Sequence, residues 1–217
     1  MKKWMKPLPD PETLRQHLLV LAVLDVILCP EEWLRVHRYE PNWTANTSLG
    51  IIDNGAGDDL YIVFALEGTI IKGFDHESPL SPHAADEYGV GQGMYEETPP
   101  ELLTYLDDHR FDKEDVTFCL WWKKGDSEWK TDDIENPQEF NDGSDYLLGY
   151  IEYTPENYVD WAEAYYDIPV QLEAVRLVYG GTAISAEIIA CLNPGRDVQA
   201  AITELARLGI RVADNDI

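Results

Sequence analysis

Ile51-Ile52 leads into Asp53-Asn54-Gly55-Ala56-Gly57-Asp58-Asp59. Leu60-Tyr61-Ile62-Val63-Phe64-Ala65-Leu66, Glu67-Gly68 and Thr69-Ile70-Ile71-Lys72-Gly73-Phe74 follow. Runs rich in β-branched and aromatic side chains favour a pleated, half-buried backbone. The Gly, Asp and Asn clusters between them supply the positive φ angles and side-chain caps that tight turns require. The stretch therefore predicts three antiparallel strands in hairpin connection. A second hairpin is expected from Val116-Thr117-Phe118-Cys119-Leu120-Trp121-Trp122, turning at Lys123-Lys124-Gly125-Asp126 and returning through Trp129.

Helical signals flank this sheet. Asp10-Pro11-Glu12 places an N-cap before a proline at the first helical position, and apolar residues then continue to about residue 28, ahead of Pro30. They occupy nearly every side of that helix, which predicts burial all round. Trp33 to Tyr39 alternates like a short strand. Thr98-Pro99-Pro100-Glu101 opens a short helix after a Pro/Gly-rich connection over 78–93, and residues 130–145 read as an exposed acidic loop. Further helices are expected after Thr154-Pro155-Glu156, up to Gly180-Gly181, from Ser185, and from Asp197 to Gly209. Helix, antiparallel sheet, then helices is an α+β order. Residues 1–150 are expected to form the α+β body and 151–217 a helical subdomain packed on it as one folding unit.

Composition narrows the function. The chain has 217 residues, is 45% hydrophobic, and contains 7 Trp, 12 Tyr and 5 Phe, enough for a substantial core. Its formal net charge is −25, the wrong sign for an unassisted nucleic-acid or anionic-membrane binder. The acidity is concentrated: residues 40–170 hold thirty acidic and six basic side chains. Such a body is either a solvated surface or a face that steers and holds a basic partner. Cysteines at 29, 119 and 191 are too few and scattered for a disulfide framework or a zinc site. Lys2, Lys3 and Lys6 precede Leu18–Leu24, but Asp10, Glu12, Arg15 and His17 intervene and Asp25 interrupts the run, so neither a secretion signal nor a membrane span is expected. The expectation is a cytoplasmic protein.

Several chemistries find no support. Gly55-Ala56-Gly57-Asp58-Asp59 lacks the Lys-Ser/Thr of a phosphate loop and precedes a strand, while no strand precedes Gly89-Val90-Gly91-Gln92-Gly93. Ser78 and Ser81 lack the nucleophile elbow of a hydrolase, and Cys119 falls within a strand expected to be buried. The most suggestive segment is Phe74-Asp75-His76-Glu77-Ser78. If it extends a strand, Asp75 and Glu77 share one face. With Asp58 and Asp59 they would offer oxygen ligands to a divalent cation, or His76 with a carboxylate would suit a softer metal. The competing reading is that these groups satisfy turn amides and one another. Trp121-Trp122 point to opposite sides of their strand. One enters the core, and the other is either covered or serves as an anchor for a protein partner.

The series Asn54-Gly55-x-Gly57-Asp58, Phe64, Gly68, Ile71-Lys72-Gly73-Phe74-Asp75-His76-Glu77-Ser78 and Thr117-Phe118-Cys119-x-Trp121, with Trp129, resembles a group of bacterial hypothetical proteins. The likeness runs from about residue 20 onward. It implies a common fold and a bacterial cytoplasmic setting, and it carries over no catalytic residue. The leading helix, central sheet, Gly-Asp turn and acidity also resemble the SUKH superfamily of α+β proteins, many of them immunity proteins of bacterial toxin systems. That superfamily's later strands have no clear match here, and the helical tail is additional. The resemblance implies a non-enzymatic binding protein for a basic protein partner. The alternative is a metal-binding protein or small metal-dependent enzyme using Asp58, Asp59, Asp75, His76 and Glu77.

Overall fold

A computed structural model describes residues 8–84, 87–134, 140–151 and 153–213. Six strands, β1 (His37–Thr44), β2 (Thr47–Asp53), β3 (Asp59–Phe64), β4 (Gly68–Phe74), β5 (Phe118–Lys123) and β6 (Lys130–Thr131), form one antiparallel sheet in sequence order. The helices are α1 (Pro11–Leu28), α2 (Pro100–Leu103), α3 (Ser144–Leu147), α4 (Pro155–Tyr166), α5 (Leu172–Tyr179), α6 (Ala186–Leu192) and α7 (Val198–Arg207). The α+β class follows directly. No helix among the described residues is long and apolar enough to cross a membrane.

The hairpin register explains the sequence pattern. Asp53 pairs with Asp59, Asp59 with Phe74, and Gly73 with Phe118. Alternation then sends Leu49, Ile51, Val63, Ile70, Cys119 and Trp121 into one cluster, where Leu102, Leu106, Phe111 and Val116 join them. Gly73 is required by close approach: a Cβ there would lie 2.1 Å from Cζ of Phe118, whose ring crosses the bare backbone. The turn between β2 and β3 is held by Asx bonds, Gly55 N to Asp53 Oδ1 at 2.9 Å and Ala56 N to Asn54 Oδ1 at 2.8 Å.

Two local expectations change. Trp33 does not lie in a strand: Glu32–Leu34 is a 3₁₀ turn and β1 begins at His37. The Arg35 guanidinium causes this by donating to the carbonyls of Cys29 (2.7 Å) and Pro30 (3.1 Å), which curls the segment. Within the stretch read as an exposed loop, Asp132, Asp142 and Ser144 are buried. Asp132 accepts from Glu97 N and the Thr98 hydroxyl, and Asp142 from Ser144 N and Oγ. Residues 135–139 of that stretch lie outside the described residues.

The chain's contacts divide it into two units. One comprises the chain up to Arg15 with Asn42–Tyr150; the other comprises Gln16–Pro41 with the chain from Ile151. Residues 16–41, assigned from sequence to the α+β body, thus group with the C-terminal helices. Asp10 caps α1 as expected, accepting from Glu12 N and Thr13 N at 3.1 Å. Within the second unit, Asn193 and Arg196 donate to the last carbonyls of α1, at Leu28 (2.9 Å) and Val26 (3.2 Å). The fully buried Asp25 accepts from His37 N (2.8 Å), His37 Nδ1 (3.1 Å) and the Tyr158 hydroxyl (2.7 Å), so its polar oxygens are not left without partners. Thr154, Ser185 and Asp197 cap α4, α6 and α7.

Candidate functional site

Both candidate sites lie in the sheet-containing unit. At one end of the sheet, the β2–β3 turn brings Asp58 beside the residues that follow β4. Asp58 Oδ1 accepts from the His76 ring Nδ1 (2.7 Å) and backbone N (3.0 Å), and its Oδ2 accepts from Asn54 Nδ2 (2.8 Å). Asp75, His76 and Asp58 each present a ligand atom within 4.8 Å of the others. Asn54 also donates to the Tyr146 hydroxyl (3.0 Å), itself 3.1 Å from that of Tyr150.

Two of the five residues expected at a metal site do not join this group. Asp59 is the first residue of β3, whereas its neighbour Asp58 belongs to the turn before it. The Asp59 carboxylate accepts from Lys72 Nζ at 3.0 Å. Glu77 is exposed, and it is its backbone N–H that donates to Asp75 Oδ1 (3.0 Å). The chain turns after Phe74 rather than extending β4, with Ser78 N bonded to Asp75 O, so Asp75 and Glu77 share no strand face.

The electrostatics divide the same way. Burial acts to raise the Asp58 pKa, but hydrogen bonds from Asn54 and His76 outweigh it and hold the carboxyl below its ordinary value. The hydrogen bond to Asp58 raises His76 above its ordinary value. Asp59 is pushed up to about 6 by burial, against the pull of Lys72. Lys72 is fully buried, with its Nζ 5.3 Å from the Tyr61 ring centre and 5.8 Å from that of Phe74.

The tryptophans expected as partner anchors are placed differently. Trp121 is buried in the sheet core, which removes it as an anchor. Trp122 is half-buried and meets Trp129 edge to face at 5.7 Å, while Trp129 donates to the Pro9 carbonyl. Cys119 is buried, and that burial pushes its thiol far up, as inert packing requires. Among the described residues, the tryptophan that stands in solvent is Trp33, 80% exposed on its 3₁₀ turn.

The second site was missed from sequence. Leu106, Phe111 and Val116 recur every five residues and all enter the core. The charged residues between them must then face outward. A groove of about 410 Å³ results, flanked by Tyr88, with Leu106 buried beneath it, and lined by Asp107, Asp108, Asp112, Glu114 and Asp115 together with His109 and Lys113. Asp107 pairs with Lys113 (2.7 Å), and Asp115 accepts from His83 Nε2 (2.9 Å) and the Tyr88 hydroxyl (3.0 Å). Asp108 caps its 3₁₀ turn by accepting from Arg110 N. Asp112 and Glu114 have no hydrogen-bond or ion-pair partner for their carboxylates among the described residues. Desolvation and the Asp115 contact push Tyr88 up to about 12. Five-residue spacing of apolar anchors with acids between is the signal that would have located the groove.

No protein-family model matches the chain, and neither does any curated protein or solved structure.

Proposed function

We propose that this chain is a non-enzymatic cytoplasmic binding protein whose acidic groove receives the basic side chains of a protein partner. The observation that carries this reading is the groove itself. It is concave, Tyr88 flanks it with a ring along which the stem of an Arg or Lys can lie, and Asp112 and Glu114 have no hydrogen-bond or ion-pair partner for their carboxylates among the described residues. A guanidinium entering there can form charge-assisted hydrogen bonds to these carboxylates, and the surrounding negative field steers its approach. The resemblance to immunity-type SUKH proteins points in the same direction.

The test is affinity capture from a native extract at low and moderate salt, with three baits. One is the natural chain, one carries Asp108→Asn, Asp112→Asn and Glu114→Gln, and one carries Glu32→Gln, Glu128→Gln and Asp160→Asn at exposed positions elsewhere. Both variants move the net charge from −25 to −22. The expected result is one dominant basic protein, held by the natural chain and the control, weakened by salt, and lost by the groove variant. Equal loss from both variants, or recovery of the bait alone, would overturn the reading.

The spacing of Asp58, Asp75 and His76 supports a second reading, a divalent-metal site with one nitrogen and two carboxylate ligands. Binding there requires the ion to displace the His76 and Asn54 hydrogen bonds now held by Asp58. Thermal unfolding with Zn²⁺ or Mn²⁺ tests it: stabilisation by micromolar metal that His76→Gln abolishes would support the site, and no shift beyond that of matched ionic strength would exclude it.

A further inference from the structure

A groove of about 270 Å³ is built entirely from the unit containing Gln16–Pro41 and the chain from Ile151. Leu19, Val20 and Val23 of α1 form one wall, and Val178 and Ile184 form the other. Ile210 closes one end, and the Ala213 N–H bonded to the Ile184 carbonyl at 2.7 Å holds this last segment in place. Leu19 and Val20 are only half-buried, although they belong to a helix whose other apolar residues are sealed in the core. The polar groups at the lip are few. Arg211 is exposed and makes no ion pair or hydrogen bond among the described residues, and the Thr182 hydroxyl is likewise unpartnered there.

We infer that this groove binds a small amphiphile with a carboxylate head: the alkyl chain lies between α1 and α5, and the head meets Arg211. Three observations lead to this class. The volume falls just below the roughly 300 Å³ at which drug-sized sites begin, and exceeds the about 150 Å³ apolar cavity that holds benzene, so a single medium-length chain fits. The facing walls of Leu19, Val20, Val23, Val178 and Ile184 are apolar side chains, which makes burial of apolar surface the main driving force. Arg211 stands at the lip of an apolar groove in a chain of net charge −25, and a planar guanidinium matches a carboxylate through two parallel hydrogen bonds. This site is independent of the acidic groove and of the binding reading built on it.

Calorimetric titration of the full chain with three probes of one tail length, decanoate, 1-decanol and decyltrimethylammonium, tests the inference below their aggregation concentrations. Decanoate binds tightest. An exposed Arg–carboxylate pair contributes about a fivefold preference over the alcohol. Arg211→Gln brings decanoate down to the alcohol's affinity and leaves the alcohol unchanged. Ala183→Trp, at an exposed position of the lining, fills the groove and removes both. Absence of decanoate binding by the natural chain would overturn the proposal. So would equal affinity for the cationic probe, an Arg211→Gln variant with undiminished decanoate binding, or concentration-dependent dimerisation that Ala183→Trp abolishes, which would make a second copy the occupant.

Discussion

Replacing Lys72 by Met keeps the apolar stem and removes the only cation paired with Asp59 among the described residues. Lys72 is fully buried and the Asp59 side chain is 25% exposed, so water screens the pair weakly. Breaking a buried pair from one side costs about 3–5 kcal/mol because the remaining charge is stranded. The stranded carboxylate has an escape, which is protonation. Relative to an unfolded-state value of 3.8, neutralising it costs about 1.4 kcal/mol per pH unit, hence about 5 kcal/mol at pH 7.5 and about 1.6 kcal/mol at pH 5. In the natural protein the same carboxyl sits at about 6. A raised acid pKa means that the folded state holds a proton the unfolded chain releases. Asp59's contribution is therefore full below 3.8 and lost as pH rises through about 6. The natural chain, with this carboxyl at about 6, already bears about 3 kcal/mol of that cost at pH 7.5, so urea unfolding of Lys72→Met should show a loss of about 2 kcal/mol there that nearly vanishes at pH 5. The double variant Lys72→Met/Asp59→Leu should return to within about 1 kcal/mol of the natural chain. A loss equal at both pH values, or below about 1 kcal/mol at pH 7.5, would refute the reasoning.

The His76 ring should titrate above 6.5 by NMR and fall toward that value in Asp58→Asn; its stabilising contribution is complete below 6.5 and lost as pH rises through the raised value. Glu204 bridges two nearly sealed guanidinium groups, Arg35 at 2.5 Å and Arg196 at 2.6 Å, so Glu204→Gln should cost about 2–4 kcal/mol in urea unfolding. Burial raises Glu204, but the two arginines outweigh it and hold it below its ordinary value, so this contribution disappears only as pH falls through that lowered value. Gly73→Ala should cost about 1–3 kcal/mol through the clash with Phe118. Gly149→Ala, where an added methyl meets nothing within 4 Å, serves as the neutral control in the same thermal melts.

The fold was legible where local chemistry and long-range packing agree. The run from Ile51 to Phe74 encodes its hairpins through β-branched residues and Asx turns, and Asp10, Thr154, Ser185 and Asp197 mark helix starts by hydrogen bonds spanning two or three residues. Trp33 misled because its alternation with later residues looks extended, while the turn is set by Arg35 reaching back to the Cys29 and Pro30 carbonyls. The convergence of Asp58, Asp75 and His76 depends on a turn after Phe74 that no single residue announces; Asp59 is drawn away from it by the buried Lys72, which the hairpin register of β3 and β4 brings alongside. The acidic groove escaped notice because acids occur throughout residues 40–170. What singles these out is the burial of Leu106, Phe111 and Val116, a property of the folded core.

The central claim is that this groove, and not diffuse acidity, receives basic groups. Titration of the isotopically labelled chain with a penta-arginine peptide, followed by amide chemical shifts, tests it most directly. The account predicts saturable shifts concentrated at residues 106–115 and Tyr88, abolished by Asp108→Asn/Asp112→Asn/Glu114→Gln and beyond those caused by matched sodium chloride. Shifts spread evenly over the acidic surface, or unchanged by that triple substitution, would contradict it.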